Sequence, residues 1–542
     1  MLEWSVVAAR VESQRSGATQ PWRWQIAARR FSPSIASAVV AGALAVIAIE
    51  LRWRGSDWPA HVFRVGLVQR DGLHAWNNYW FGGHHTLGYG VLFPVLGAVA
   101  GIAKMAAASA VVSAVLGDAV IRSGLGRTCW PASIWFAAGT LTNVAVGRLP
   151  FSLGLCVGLA AILAAQHGRM VLAALLTIAT AGASPVVSVF LAIVFVAWAL
   201  ASDGRRRKVL GALAPAALLP VLVVAALYPQ GGMFPFRWTA LLGALGVCLI
   251  AGALVPARFA VVRIAAGLYA IAVLGAFLVP TPLGGNITRL GMYAAGPVLL
   301  ALVPRRVWTL LVLAPLLWFW QWSPSFDAIF RSGDDPSVQE EYHRPLVEFL
   351  QSASGDLDRV EIVPTARHWE TAYVAAKVPI ARGWERQLDL RFNPLFYEPD
   401  LTAVEYEHWL RVNGVRFVAV PDVPLDNSGL EEADLIHRGV SFLKPVWSSE
   451  HWKVFRVVAS TGLVDGPATL VQMGIDTVVL TVTDIGDVTV RVRASAFWVS
   501  DPPVCIEPTD DGWIVLHSPP LGTVTVTLDE SRVLSGDDPC TG

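Results

Sequence analysis

The chain of 542 residues is poor in charge, in lysine and in cysteine. Charged residues make up 15% of it, against about a quarter in an ordinary soluble domain. Lys+Arg and Asp+Glu each number 41, so the chain as a whole is neither a basic nucleic-acid binder nor an acidic disordered tail. The five cysteines include no C-x-x-C pair, and neither H-E-x-x-H nor G-K-[ST] occurs. The common soluble zinc, redox and nucleotide-phosphate signatures are therefore absent.

What is present is apolar material, 54% of the residues. Eleven runs with almost no charge occupy 35–51, 105–121, 130–146, 151–166, 170–180, 185–201, 209–227, 238–255, 259–279, 290–303 and 307–322. A spanning helix needs about 20 mostly apolar residues, and no ordinary soluble fold buries eleven such runs in series. The pattern predicts a polytopic α-helical membrane domain of about eleven helices over 34–322, after a segment 1–33. A further stretch, 89–103, is broken by Pro94 and is read as dipping into the outer leaflet without crossing. Charge divides the chain at the same place. Residues 1–322 hold 24 basic and 7 acidic residues, and residues 323–542 hold 17 and 34.

Basic residues in short loops favour the cytoplasmic side. Arg10, Arg15, Arg23, Arg29 and Arg30 place the N-terminus inside, in an uncleaved plasma-membrane protein. Arg122 with Arg127, Arg169, the cluster 205–208, Arg258 with Arg263, and Arg305 with Arg306 then all fall inside, leaving the C-terminal half extracytoplasmic. That half has no spanning run. After a Pro/Ser/Gly/Asp linker at 323–336, a helix at 342–352, a strand at 360–363, a helix at 403–412 and a strand at 416–420 suggest an external α/β subdomain over 323–462. Strands at 477–483, 488–494, 513–517 and 523–528 suggest a small β-sandwich over 463–542. Cys129, Cys156 and Cys248 belong to apolar helices. Cys505 and Cys540 lie in the external half, where a disulfide is permitted.

The chemistry concentrates in the first external loop, 52–88. It carries Asp57, His61, Arg64, Asp71, His74, His84 and His85 among many aromatics. Residues 58–70 read as an amphipathic helix on the membrane surface, although Gln69 interrupts its apolar stripe. Asp57 is the one acid before that helix and suits a general base, or equally the helix N-cap, since Pro59 follows at the first turn. Arg148, Arg237 and Arg289 stand beside Gly- and Pro-rich external turns, where guanidinium groups suit phosphate or lipid headgroups; Arg64 is a fourth candidate. His61, His84 and His85 with Asp57 could hold a divalent metal, or be ordinary loop histidines. The tryptophans read as interfacial anchors, with sugar stacking as the alternative.

The early external acid, the helix after it, about eleven spans and a C-terminal external domain together resemble the GT-C superfamily of integral-membrane glycosyltransferases. Asp57-Trp58-Pro59-Ala60-His61, Trp76-Asn77-Asn78, Gly82-Gly83 and Gly147-Arg148-Leu149-Pro150-Phe151 are similar to loops in bacterial members. The excess of Arg over Lys resembles actinobacterial composition. The resemblance implies transfer of a sugar from a polyprenyl-phosphate donor to an envelope glycan, lipid or protein, with membrane lipid and no nucleic acid as partners. Asp57 lacks the adjacent acid that many members carry. A transporter or flippase of lipid-linked glycan, and a noncatalytic assembly protein of the same fold, are the alternatives; the absence of internal repeats speaks against the first.

Overall fold

The computed structural model describes residues 33–229, 231–303, 307–354, 357–531 and 540. The segment 1–33, except Pro33, and the loop bearing Arg305 and Arg306 lie outside the described residues. The first half is helical: α1 Pro33–Glu50, α2 Trp58–Asp71, α3 Leu92–Ala100, α4 Ile102–Leu125, α5 Trp130–Val146, α6 Leu149–Gln166, α7 Met170–Ala183, α8 Pro185–Leu200, α9 Gly204–Leu227, α10 Trp238–Leu254, α11 Ala260–Leu278, α12 Arg289–Leu302 and α13 Val307–Arg331. Among the described residues, α1, α4, α6, α9 and α11 have the length and apolar composition to cross a membrane, and α7, α8 and α10 are apolar but shorter. Five helices meet both criteria, fewer than the eleven expected crossings.

Small residues let these helices approach closely, as in the contact of Ala41, Ala114 and Ala137 that joins α1, α4 and α5. The same three helices share a polar clasp. Asp118 is fully buried and accepts from Ser34 Oγ (2.6 Å), Ser133 Oγ (2.8 Å) and Arg122 Nε (2.8 Å). The nine-residue α3, ended by Gly101 at φ 88°, is too short to cross, as expected for 89–103.

At the junction the structure departs from expectation. The linker predicted from residue 323 is helix as far as Arg331, and the chain turns at Ser332. Phe319, Phe326 and Phe330 form a continuous row along α13, with centroids 5.8 and 6.0 Å apart. Side-chain contact at helical spacing thus carries the helix past Pro324, where composition alone signals a break.

The α/β subdomain comprises α14 Glu340–Ser354, α15 Glu370–Tyr373, α16 Arg386–Phe392, α17 Ala403–Val412 and α18 Leu430–Arg438 around a sheet. The sheet runs β3 Arg359–Ile362, β4 Val415–Pro421, β6 Trp452–Val457, β5 Leu443–Ser448, with β3 and β4 parallel and the other pairs antiparallel. Helix α17 starts at a capping box of Thr402 and Glu405. The last region is the expected sandwich of two four-stranded sheets. One is β12 Ile506–Pro508, β13 Trp513–Leu516, β10 Val488–Arg493, β7 Val464–Asp465; the other is β11 Trp498–Asp501, β14 Gly522–Leu528, β9 Thr477–Val482, β8 Ala468–Met473. Alternate residues of β9 and β14 point inward, with Val478, Leu480, Val524 and Val526 fully buried. Cys505 and Cys540 form a disulfide.

A buried charge cluster stiffens the α/β subdomain. Arg382 lies 2.6 Å from Asp389, 3.6 Å from Glu432 and 3.9 Å from Glu361, all of them buried. Three carboxylates face one guanidinium in a dry environment. Burial, and then the neighbouring Glu432, pushes Glu361 well above the usual carboxylate range; burial pushes Glu432 up to about 7. Because the folded value exceeds the unfolded one, stability from the protonated form is present below about pH 4.5 and lost as pH rises through about 7. Glu432→Gln should therefore stabilise the protein relative to wild type at pH 8.5, by on the order of 3 kcal/mol, and give a much smaller gain at pH 5. Thermal unfolding at the two pH values checks this; equal effects at both would refute it.

Candidate functional site

Asp57 is held against the junction of α5 and α6 by backbone contact. Gly55 N–H donates to Ala145 O (2.8 Å), Asp57 N–H to Val146 O (3.2 Å) and Trp58 Nε1 to Val144 O (2.7 Å). A Cβ on Gly55 would sit 2.8 Å from Val146 Cα. One on Gly147, whose φ is 94°, would overlap the Trp58 nitrogen. Glycine is required on both sides, and the result places Asp57 directly beside Gly147-Arg148. Asp57 occupies the N-cap position of α2, but its side chain makes no capping hydrogen bond. Among the described residues no hydrogen bond or ion pair engages this half-buried carboxylate.

Two of the predicted arginines join it. Arg289, at the start of α12, lies within electrostatic reach of Arg148, Tyr89, Asp57 and Tyr293. Arg148 reaches the Tyr293 hydroxyl, which donates to Asn143 Oδ1 (2.6 Å). His61 packs beside them on Tyr89 (5.6 Å) and Phe93 (5.8 Å). Burial, then Arg64 and Arg289, holds His61 well below its usual range, so it is neutral. Burial and then Asp57 push the Tyr89 hydroxyl up to about 12, so it remains a donor. Several buried polar atoms here lack a protein partner: both His61 ring nitrogens, Arg148 Nε, Asn143 Nδ2 and Ser152 Oγ. The group therefore offers one carboxylate, two guanidinium groups and spare donors, an arrangement complementary to an anion rich in acceptor oxygens.

The other candidates are placed elsewhere. Arg64 donates from Nη2 to Glu385 Oε2 (2.6 Å) and covers the Tyr89 ring at 4.2 Å, so a carboxylate of the α/β subdomain already claims the charge expected for phosphate. Arg237 is exposed at the start of α10, outside the group around Asp57. His84 stacks on Trp80 (5.7 Å), and His85 packs among Trp76, Tyr228 and Phe497. As neighbours on a two-residue strand, β2 His84–His85 paired with β1 Trp76–Asn77, they diverge to separate aromatic surroundings. The histidines do not gather with Asp57 into a donor set fit for a divalent metal. The one His/Cys/Asp/Glu group of metal-binding spacing among the described residues, Cys505, Glu507 and His517, includes a disulfide sulfur.

The loop 52–88 is a wedge rather than a surface feature. Helix α2, expected on the membrane surface, buries Trp58, His61, Phe63, Arg64, Val65 and Leu67 between the helical half and the C-terminal half. Beyond it, Trp80 stacks on Phe63 (4.4 Å) and donates to Thr371 O (3.0 Å). Tyr79 O accepts from Ile380 N (2.9 Å), Asn78 N–H donates to Ile475 O (2.8 Å) and Gly82 O accepts from Arg493 N (2.8 Å). Trp76 enters the sandwich core against Trp498 (5.5 Å). A Cβ on Gly83 would overlap the Trp76 ring. Trp76 and Trp80 are thus joints between domains. Tyr89 and Tyr293, which pattern reasoning missed, and Glu385, read only as a residue able to touch glycan, reach the site from three separate segments.

Burial pushes His84 down to about 3 and His85 down to about 4, whereas an undocked histidine titrates near 6.5. Docking stability is thus present above pH 6.5 and is lost as pH falls towards 4. Amide hydrogen exchange over 76–85 should speed up at least tenfold, after correction for intrinsic rates, between pH 7 and pH 5; a pH-independent protection factor would contradict the neutral, docked histidines. Compared with known proteins, the chain matches no family model, and no curated protein matches its sequence.

Proposed function

We propose that the protein is a membrane glycosyltransferase of GT-C type, with about eleven spans and its catalytic face outside, that transfers a sugar from a polyprenyl-phosphate donor to an envelope acceptor. The observation that carries this reading is the unpaired Asp57 carboxylate held beside Arg148 and Arg289 at one end of the helical half. In this reading Asp57 takes the proton from the acceptor hydroxyl as its oxygen bonds to the anomeric carbon. The bond from that carbon to the donor phosphate oxygen breaks, and polyprenyl phosphate leaves with the electron pair. Arg148 and Arg289 offset the charge on the departing phosphate, and the Tyr89 hydroxyl supplies a neutral donor beside them. His61 stays uncharged and adds hydrogen-bonding capacity without adding repulsion to the two arginines.

The roles separate experimentally. In membranes supplied with radiolabelled polyprenyl-phosphate sugars, Asp57→Asn should reduce transfer by about 100-fold or more while leaving donor binding nearly intact. Arg148→Ala should weaken both, and Arg148→Lys should recover only part, because an ammonium cannot reproduce the planar contact. Undiminished transfer by Asp57→Asn overturns the assignment of the base. Transfer by neither wild type nor variant, in membranes where both are folded and donor is present, overturns the glycosyltransferase reading.

A further inference from the structure

At the opposite end of the helical half from Asp57, the last turn of α4, the segment entering α5 and the end of α6 enclose an open concavity of about 540 Å³. Its lining is mainly polar and carries positive charge: Arg122, Arg127 and His167, with Ser123 and Thr128 between them. Arg122 belongs to the Asp118 clasp through Nε and Nη2, which fixes its guanidinium in the wall. Arg127 is likewise held, donating from Nη2 to Ala301 O (3.2 Å) at the last turn of α12. His167 is fixed by its Nδ1 against Leu163 O (2.9 Å), which leaves Nε2 towards the opening.

The charge is cancelled only in part. Asp118, fully buried behind Arg122, pairs with it at 2.8 Å, whereas Arg127 has no acid partner among the described residues. Helix α5 starts here without a side-chain cap and with Pro131 in its first turn, so its N-terminal dipole also faces this end. The rim is the end of the apolar α4, a 24-residue helix of membrane-spanning composition, and the exposed Trp130 indole stands next to it. Fixed cations, hydroxyls and a positive helix end at the margin of an apolar bundle match a phosphodiester that arrives attached to acyl chains.

We infer that this concavity is a binding site for the headgroup of an anionic phospholipid, with Arg122 and Arg127 on the phosphate and Ser123, Thr128 and His167 towards the glycerol or headgroup hydroxyls. It is separate from the group around Asp57, and its occupancy does not depend on glycosyl transfer. Bound lipid would brace the ends of α4, α5, α6 and α12 against one another.

The test uses the full-length protein purified in a neutral detergent, with phosphatidylglycerol, phosphatidylcholine, glycerol phosphate and inorganic phosphate as probes. Native mass spectrometry should show phosphatidylglycerol retained at least tenfold more than phosphatidylcholine. Arg127→Gln with His167→Gln, both exposed positions outside the clasp, should abolish that preference, whereas Arg127→Lys should keep most of it. Unfolding temperatures measured in phosphatidylcholine report whether the variants fold. Equal retention of the two lipids by wild type, an unchanged preference in the folded double variant, or equally strong competition by glycerol phosphate or inorganic phosphate would each overturn the assignment. If the double variant does not fold, Thr128→Glu is the second probe: it places a carboxylate at the mouth and should cut retention by the same factor, and retention unchanged by it overturns the proposal.

Discussion

The rest of the molecule depends on the burial of one polar-aromatic loop between two dissimilar halves. Residues 52–88 leave the first helix, touch the junction of α5 and α6, and then supply side chains to both C-terminal subdomains. The cost of such an interface is paired polarity, because each backbone group removed from water needs a partner. The loop meets that cost by exchanging main-chain hydrogen bonds with residues 380, 475 and 493. Aromatic area supplies the favourable side: Trp76 and Trp80 are almost wholly buried, and large rings contribute most per residue to such contacts.

This constraint explains the state of the charged groups along the loop and beside Asp57. Two sheets and a helical bundle converge on the same few side chains, so charges there are partnered, neutral or reserved. Arg64 has Glu385; His61, His84 and His85 have lost their protons to burial; Asp57, Arg148 and Arg289 retain spare capacity. The docked α/β subdomain is thus part of the electrostatics of the site, through Glu385. The site cannot be described from the helices alone.

Local signals in the sequence were legible where one physical cause dominates. The helix read at 403–412 is α17 at those same bounds, opened by the Thr402–Glu405 capping box, and the strands read at 477–483 and 523–528 are β9 and β14 within a residue. Proximity of Asp57 to Arg148 was accessible through residue type, a lone acid and a lone arginine beside glycine turns. What failed shares a cause: burial on two sides. Helix α2 has no clean apolar stripe because it is buried or half-buried all round from Trp58 to Val68, so His61 and Arg64 sit inside where a surface helix would show them outside. Gln69, the residue that interrupts the stripe, is exposed at the helix end and donates to Ala98 O (3.2 Å). Tyr89 and Glu385 lie far apart in sequence, and no short-range pattern marks two residues that meet only through domain docking.

The wedge also imposes an order on biosynthesis. Arg64 waits for Glu385, 321 residues later, while His74 and the Phe81 carbonyl wait for Asp476 and Arg493, 402 and 412 residues later. At ribosomal speeds of about 5–20 residues per second, these partners arrive tens of seconds after the loop has left the first helix. During that interval a segment rich in tryptophan and histidine has only the early helices to pack against. Completion of this fold is therefore a late, long-range event that waits on the last third of the chain.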